Sequence, residues 1–488
     1  MTSPRHLAPR PLDARRAASI VDVTPTAAQR RAIEAPAGRP MLVLGDAGHG
    51  KTTLALLRLA ALAERATGRF RARVIVPEEG LQHLVDDALF QLGLSRTVAR
   101  AETYDRWALR EARRAFPDLP RRVGTDATPA VARLKRDPAL EGPIAEVAGR
   151  PPGRIDEDAD REGPEGRDAH AQWGDLQHLF GDRALLAAVL AGAHGRVPAH
   201  ALDETLLHTR IQFSARTEAA FAHVTDARRL RALDGETLDA GTPTADAGTL
   251  DAEDAAVMFL LDALRTARLG ADPERPRPLD CLVLDEAQEL APIELRLLGR
   301  ALRPGGTLIV AGDADQQIDR TTSFPGWDEC LALLGAPDHD RVRLDHGFRC
   351  PGPVVALARA VRDGVVPEER WKGIAFAGEA FAPWLDQELA HLREEDPTAT
   401  IAILARDATR LAAFASQLDT VIPTCREGRF PRRGPVLATV DQVRGLEFDF
   451  VVLPDVGDYD DTKASRRTLY VAMTRTRHQL VTESPLRR

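Results

Sequence analysis

Residues 45–52 read GDAGHGKT, and this octapeptide constrains the fold more than any other stretch of the chain. It satisfies the pattern G-x-x-x-x-G-K-[ST], with the apolar run MLVLG (41–45) before it and the amphipathic TTLALLRLAALAERA (52–66) after it. Strand, glycine-rich loop and helix in that order form a phosphate-binding loop. Gly45, Gly48 and Gly50 let main-chain N–H groups approach phosphates, and the helix start favours the anion. Lys51 is placed to reach the β- and γ-phosphates and Thr52 to ligate Mg2+, with Thr53 beside them in the first turn. A glycine-rich turn between strand and helix is the plain structural alternative.

Such a loop needs carboxylates at the end of a neighbouring strand. The run CLVL (281–284) leads straight into Asp285 and Glu286 within LDEAQEL (284–290). Asp285 is placed to hold Mg2+ through water, and Glu286 to orient or deprotonate an attacking water. The alternative is a helix N-terminus with acidic residues in its first turn.

Short Val-, Ile- and Leu-rich runs recur between helical patterns. One set is MLVLG, RVIVP (73–77), CLVLD (281–285) and TLIVA (307–311); a second is IAIL (401–404), VLATV (436–440) and FVVLP (450–454). Continuous apolar strands alternating with amphipathic helices predict α/β architecture with parallel sheets covered on both faces. Two separated sets predict two such domains.

The texture changes between about 116 and 250. Residues 137–170 carry almost no large apolar side chain and predict a mobile loop. Helical patterns resume at 173–231. Residues 234–254 hold the near-repeat TLDA at 237–240 and 249–252 and lack the ligand order of an EF-hand, so they predict a second, acidic, solvated loop. Residues 1–20 are basic without an apolar segment and predict a flexible arm.

Four cysteines (Cys281, Cys330, Cys350, Cys425) lie far apart, which excludes a zinc ribbon, an Fe–S cluster or a disulfide framework and fits a reducing cytoplasm. No apolar run reaches the roughly 18 residues of a membrane span. Net charge is −8, so nucleic acid must be bound by a local groove.

With these elements placed, most of the chain outside 116–250 resembles superfamily 1A helicases of the UvrD/Rep/PcrA type, with its motifs in the same order. TPTAAQRRAI (24–33) resembles the Q motif, where Gln29 reads adenine; Thr26 and Gln29 equally fit a capping box. GDADQQI (312–318) resembles motif III, with Gln316 as γ-phosphate sensor. LDHGFRC (344–350) resembles motif IV, with Phe348 stacking on adenine and Arg349 on the γ-phosphate. TVDQVRGLEFDFVVL (439–453) is similar to motif V, placing Gly445 and Glu447 near the ribose and Arg444 on the nucleic-acid track. LYVAMTRTR (469–477) is similar to motif VI, with Arg475 as the second γ-phosphate arginine. An arginine supplied from outside the loop domain suits phosphoryl transfer, which depends on positioning and charge stabilisation.

Departures from the family pattern are equally specific. PEEGLQHL (77–84) puts Glu78 and Glu79 where the family has a lysine-bearing loop that touches DNA. ETYDRWA (102–108) keeps the character of motif Ib, with Thr103, Tyr104 and Trp107 either meeting bases or, for Trp107, lying in the core. Asp319 replaces an aromatic after motif III, and Phe324 or Trp327 either substitutes for it or packs a helix. About 30 residues separate IAILAR (401–406) from motif V, which leaves no room for a 2B subdomain.

The resemblance implies two RecA-like P-loop NTPase domains with a mainly helical insertion in the first: domain 1A at 21–115 and 251–337, a 1B-like insertion at 116–250, and domain 2A at 338–488. It implies ATP and Mg2+ as cofactors and an ATP hydrolase acting as a 3′–5′ translocase or helicase on single-stranded or tailed DNA. Residues 116–250 are the candidate surface for a protein partner. The alternative is a nucleotide-gated switch or assembly ATPase that acts on a protein and does not unwind DNA.

Overall fold

The computed structural model describes residues 7–10, 24–117, 119–124, 127–150, 169–213, 247–345, 350–365, 374–375, 381–425, 430–431 and 433–484. Among them the strands are β1 (Met41–Gly45), β2 (Ala72–Val76), β3 (Ala99–Thr103), β4 (Arg122–Val123), β5 (Thr249–Leu250), β6 (Leu279–Leu284), β7 (Leu302–Gly312), β8 (Asp340–Leu344), β9 (Ile374–Ala375), β10 (Thr400–Ala405), β11 (Gly434–Thr439), β12 (Phe448–Leu453) and β13 (Thr476–Thr482). Each of the seven apolar runs singled out above overlaps one of these strands.

The first sheet has the order β3-β2-β6-β7-β1-β8 and the second β11-β10-β12-β13-β9, and all their pairings are parallel. Side-chain alternation explains why the central strands carry continuous apolar runs at 41–44, 281–284 and 308–311. Leu42, Leu282, Leu284, Leu308 and Val310 face a core shared with the insertion helices. Their neighbours Met41, Val43, Cys281, Val283, Ile309 and Ala311 face the opposite core. Both faces are dry, as expected for a parallel sheet. The second core runs on without a break into the other lobe through Leu357, Val436 and Tyr470, so the two RecA-like lobes share apolar contact.

The domain boundary expected at 337 shifts, because β8 pairs with β1 and completes the first sheet. In its alternating sequence DRVRL, Arg341 and Arg343 are exposed and only Leu344 is buried, as suits an edge strand.

The insertion is better packed than its composition implies. Within the expected mobile loop at 137–170, Pro138–Leu140 and Glu141–Ala148 are helical, and Leu140, Ile144 and Val147 are buried. Residues 151–168 lie outside the described residues. The acidic stretch at 234–254 is likewise not all solvated: Thr249 and Leu250 pair with β4, and Asp251 and Asp254 are buried. Lys135 Nζ donates to Asp251 Oδ2 and to Asp254 Oδ1, each at 2.7 Å. His208 Nε2 lies 2.7 Å from Asp251 Oδ2, and Gln212 donates to Asp254 at 2.6 Å. Burial alone would lower the pKa of Lys135, but the two carboxylates outweigh it and raise it. Lys135→Met is therefore expected to destabilise the insertion by about 3–5 kcal/mol, since it strands two buried carboxylates. Hydrogen exchange of the helix Ala252–Leu269 measures this, and a change below about 1 kcal/mol would contradict the account.

The four cysteines are free thiols. No helix among the described residues is long and apolar enough to cross a membrane.

Candidate functional site

In parallel sheets, ligands gather beyond the carboxyl ends of the strands. Here the central order β6-β7-β1 brings three such ends together. β1 delivers the loop 45–52, β6 delivers Asp285 and Glu286, and β7, between them, delivers Asp313 and Gln316.

The loop turns through Gly48 and Gly50 at φ 72° and 81°, and Gly50 ends it as the N-cap of the helix Lys51–Arg65. A side chain at Gly50 would be strained, so glycine is what lets the helix start with its N–H groups facing the loop. Lys51 Nζ donates to Gly45 O at 2.8 Å and Asp46 O at 3.0 Å, holding the loop closed on itself. Thr52 Oγ1 donates to Asp285 Oδ2 at 2.7 Å. Thr53 is buried in the same first turn.

Burial, and then the neighbouring Glu286 carboxylate, pushes Asp285 up to about 7. A divalent cation beside Thr52 would offset that excess of negative charge, so the donors fit Mg2+, with Thr52 and Asp285 holding it. Glu286 adopts φ 52°, ψ 43°, a left-handed conformation that costs about 1–3 kcal/mol in a non-glycine residue. Gln288 Nε2 donates to Glu286 Oε2 at 2.8 Å, while Gln288 Oε1 accepts from Asp313 N at 3.0 Å. Gln288 thus orients Glu286 and ties the ends of β6 and β7 together. Only its place inside LDEAQEL hints at this.

The second lobe meets this site through Arg475. Its guanidinium is buried and donates to Val471 O (3.1 Å), Leu446 O (3.3 Å) and, across the cleft, Gln316 Oε1. Gln316 Nε2 in turn donates to Asp313 Oδ2 at 2.8 Å. The motif III and motif VI candidates are therefore in direct contact. Phe348 and Arg349 lie outside the described residues.

Two arginines that sequence reasoning passed over also reach across. On the helix Gly352–Arg362, Arg359 pairs with Asp46 of the loop, and Arg362 donates to Asp315 at 2.6 Å. Their spacing of three, which puts both on one helix face, was the available signal.

Gln29 lies on the helix Ala27–Glu34 beside the loop helix. Buried Arg58 fixes this helix by donating to Ala32 O (2.7 Å) and Pro36 O (3.1 Å). The capping box is present: Gln29 Oε1 accepts from Thr26 N at 2.8 Å, and Thr26 Oγ1 accepts from Gln29 N at 3.3 Å. The oxygen is thus committed to the cap, which leaves the amide nitrogen for a base. Glu447 accepts from Arg477 Nε at 3.1 Å, so it enters any ribose contact already paired. At Gly445 a Cβ would lie 2.4 Å from Leu81 Cδ2, so glycine is what allows the lobes this approach.

The nucleic-acid candidates fare differently. Tyr104 and Trp107 are 5% and 1% exposed and belong to the core, the second of the two alternatives for Trp107 and a correction of the stacking reading for Tyr104. Thr103 is a buried helix cap that accepts from Arg106 N at 3.4 Å. Trp327 packs over Gly312, where a Cβ would meet Trp327 Cη2 at 2.4 Å. Phe324, edge-on to Trp327 at 4.6 Å, lines a cleft of about 500 Å³ together with Arg133, Arg320 and Arg467. Arg444 bridges the lobes, pairing with Glu78, Glu289 (3.4 Å) and Asp319 (3.9 Å). Glu79 pairs with Arg106 at 2.5 Å. The two carboxylates that stand where the family has a lysine-bearing loop are thus paired with arginines.

A family profile described as an AAA domain matches residues 29–322, more than half of the chain, and one described as the C-terminal domain of UvrD-like helicases matches residues 436–482. Over more than half of its length the chain belongs to the AAA-domain family of the first profile, and its residues 436–482 are similar to the C-terminal domain of UvrD-like helicases. The first profile spans the loop, the insertion and motif III; the second spans motifs V and VI. RecBCD enzyme subunit RecD from two strains of Mycobacterium tuberculosis is 30% identical over 235 residues, which is 45% of this chain and 36% of the relative. The chain thus spans just over a third of the length of the curated relatives it matches. The C-terminal domain of a possible DNA helicase from Lactobacillus plantarum is 20% identical over 29% of this chain and 92% of that one, with a TM-score of 0.23.

Proposed function

We propose that this chain hydrolyses ATP with Mg2+ and uses the resulting closure and reopening of its two lobes to move along single-stranded DNA. The observation that carries this reading is the contact of Arg475 with Gln316 beside the phosphate-binding loop. Nucleotide in the cleft would engage both lobes, so hydrolysis would change their relation. Mg2+ at Thr52 and Asp285 would neutralise phosphate charge, Glu286 would orient the water, and Arg475 would stabilise the transferring phosphoryl group. The cleft around Phe324, with three arginines on its walls, supplies a local basic surface on an acidic protein. The resemblance to the UvrD/Rep/PcrA type carries 3′–5′ polarity into the proposal. The likeness to a protein named as a subunit of an enzyme complex supports a protein partner, with the insertion as its surface. Free cysteines support the cytoplasm.

A second reading, a nucleotide-gated switch acting on a protein, is favoured by the pairing of Arg444 with Glu78 and Glu289, which occupies a cation on the expected DNA track. Steady-state ATPase at low salt, with and without single-stranded DNA, separates the two. The first reading expects stimulation that falls steeply with added salt. DNA-indifferent turnover would overturn it in favour of the switch. If stimulation is found, duplexes with 3′ and 5′ tails test the polarity.

A further inference from the structure

The chain touches the second lobe before it enters the first. Residues 7–10 (Leu-Ala-Pro-Arg) lie against the second lobe, which corrects the expectation of a flexible arm there. Leu7 is fully buried in the core formed by Phe381, Leu385, Leu389 and Ile401. Its N–H donates to Glu388 Oε2 at 2.6 Å. Ala8 N donates to Gln479 Oε1 at 3.1 Å, and Ala8 O lies 3.0 Å from His478 Nε2. Pro9 has no N–H to satisfy, and its fixed φ lowers the entropy lost on docking.

Arg10 then closes the contact with both main chain and side chain. Asp396 accepts from Arg10 N (3.2 Å), Nε (2.8 Å) and Nη2 (3.0 Å), Thr398 Oγ1 accepts at 2.8 Å, and Asp449 lies 2.9 Å from Nη1. Such a forked arginine–carboxylate pair is specific in geometry as well as charge. Burial opposes ionisation of Asp396, yet the Arg10 bonds hold its carboxyl down at about 2.

We propose that residues 7–10 form a strap, an intramolecular peptide ligand for a receptor on the second lobe that recognises a leucine followed three residues later by an arginine. The strap gives the lobes a second link, continuous with the first lobe through the chain and held on the second by non-covalent contacts. Beyond it the chain runs to the helix Ala27–Glu34 of the first lobe, which carries Gln29. Thirteen residues, 11–23, span at most about 45 Å, so the strap is tethered close to its receptor. A partner segment of the same chemistry must compete with it.

Cutting the tether tests this in the full chain without disturbing folding. A specific protease site is inserted within residues 11–23, and the folded protein is cleaved and diluted until the fragment leaves. Amide exchange at 385–392 and 478–481 is then expected to accelerate about tenfold or more. A synthetic peptide of residues 5–12 should restore protection, and the same peptide carrying Leu7→Asp and Arg10→Glu should not. Exchange unchanged after the fragment is lost, or equal rescue by the two peptides, would overturn the strap. Neither result depends on whether the ATPase responds to DNA.

Discussion

Lys51→Ala is expected to take ATP turnover down by at least about 10³-fold, because the charge that stabilises the phosphates during transfer is lost. The structure shows what this residue is committed to when the loop holds no phosphate. Its ammonium now satisfies the carbonyls of Gly45 and Asp46, at 2.8 and 3.0 Å, and is almost wholly buried. Phosphate oxygens arriving at the loop compete for the same three N–H donors, so the side chain exchanges neutral acceptors for charged ones, the stronger kind. In the alanine variant two carbonyls lose a donor at the mouth of a cleft that water can enter, a modest cost against the loss of catalysis. Turnover is therefore expected to vanish while the melting temperature moves by only a few degrees. Steady-state kinetics and thermal unfolding of the same preparation check this. Retained turnover would remove the phosphate site from this loop, whereas global unfolding would remove Lys51 from a purely catalytic role.

The features legible in the sequence were those with a local signature. The loop 45–52 has a fixed pattern, and β1, β6 and β7 carry unbroken apolar runs (41–44, 281–284, 308–311) because both faces of the sheet are covered there. β3 (ARAET), β8 (DRVRL) and β13 (TRHQLVT) escaped because they carry charged or polar residues, and their strand character comes from the pairing partner. The helix Tyr104–Ala115 buries 104, 107, 108 and 112 at helical spacing, so Tyr104 and Trp107 belong to its core stripe. Asp251 and Asp254 looked solvated because their counter-ion, Lys135, lies more than a hundred residues earlier. Arg444 looked free for phosphate for the same reason: Glu78 and Glu289 come from the other lobe. Charge pairing over long sequence separation has no local signal, and it decides most of what composition misjudged here.

Arg475 shows the same long-range logic at the catalytic cleft, where its removal has a large expected effect. Arg475→Ala is expected to lower kcat by about 10³–10⁵-fold, the range for an arginine that stabilises a transferring phosphoryl group. Nucleotide binding should survive, because the loop, Thr52 and Asp285 are untouched. Arg475→Lys should recover little, since an ammonium cannot reproduce the planar fork that here joins Val471 O, Leu446 O and Gln316 Oε1. The Gln316→Ala change tests whether the link between the lobes works as a unit. If Arg475 acts through its contact with Gln316, the double variant should be much less impaired than the product of the two single losses. Fully multiplicative losses would mean that the two residues act independently and that their contact is only a resting arrangement. A kcat within tenfold of the parent for Arg475→Ala would exclude this arginine from the chemical step and leave Arg359, on the loop carboxylate Asp46, as the cation of the second lobe best placed among the described residues to replace it.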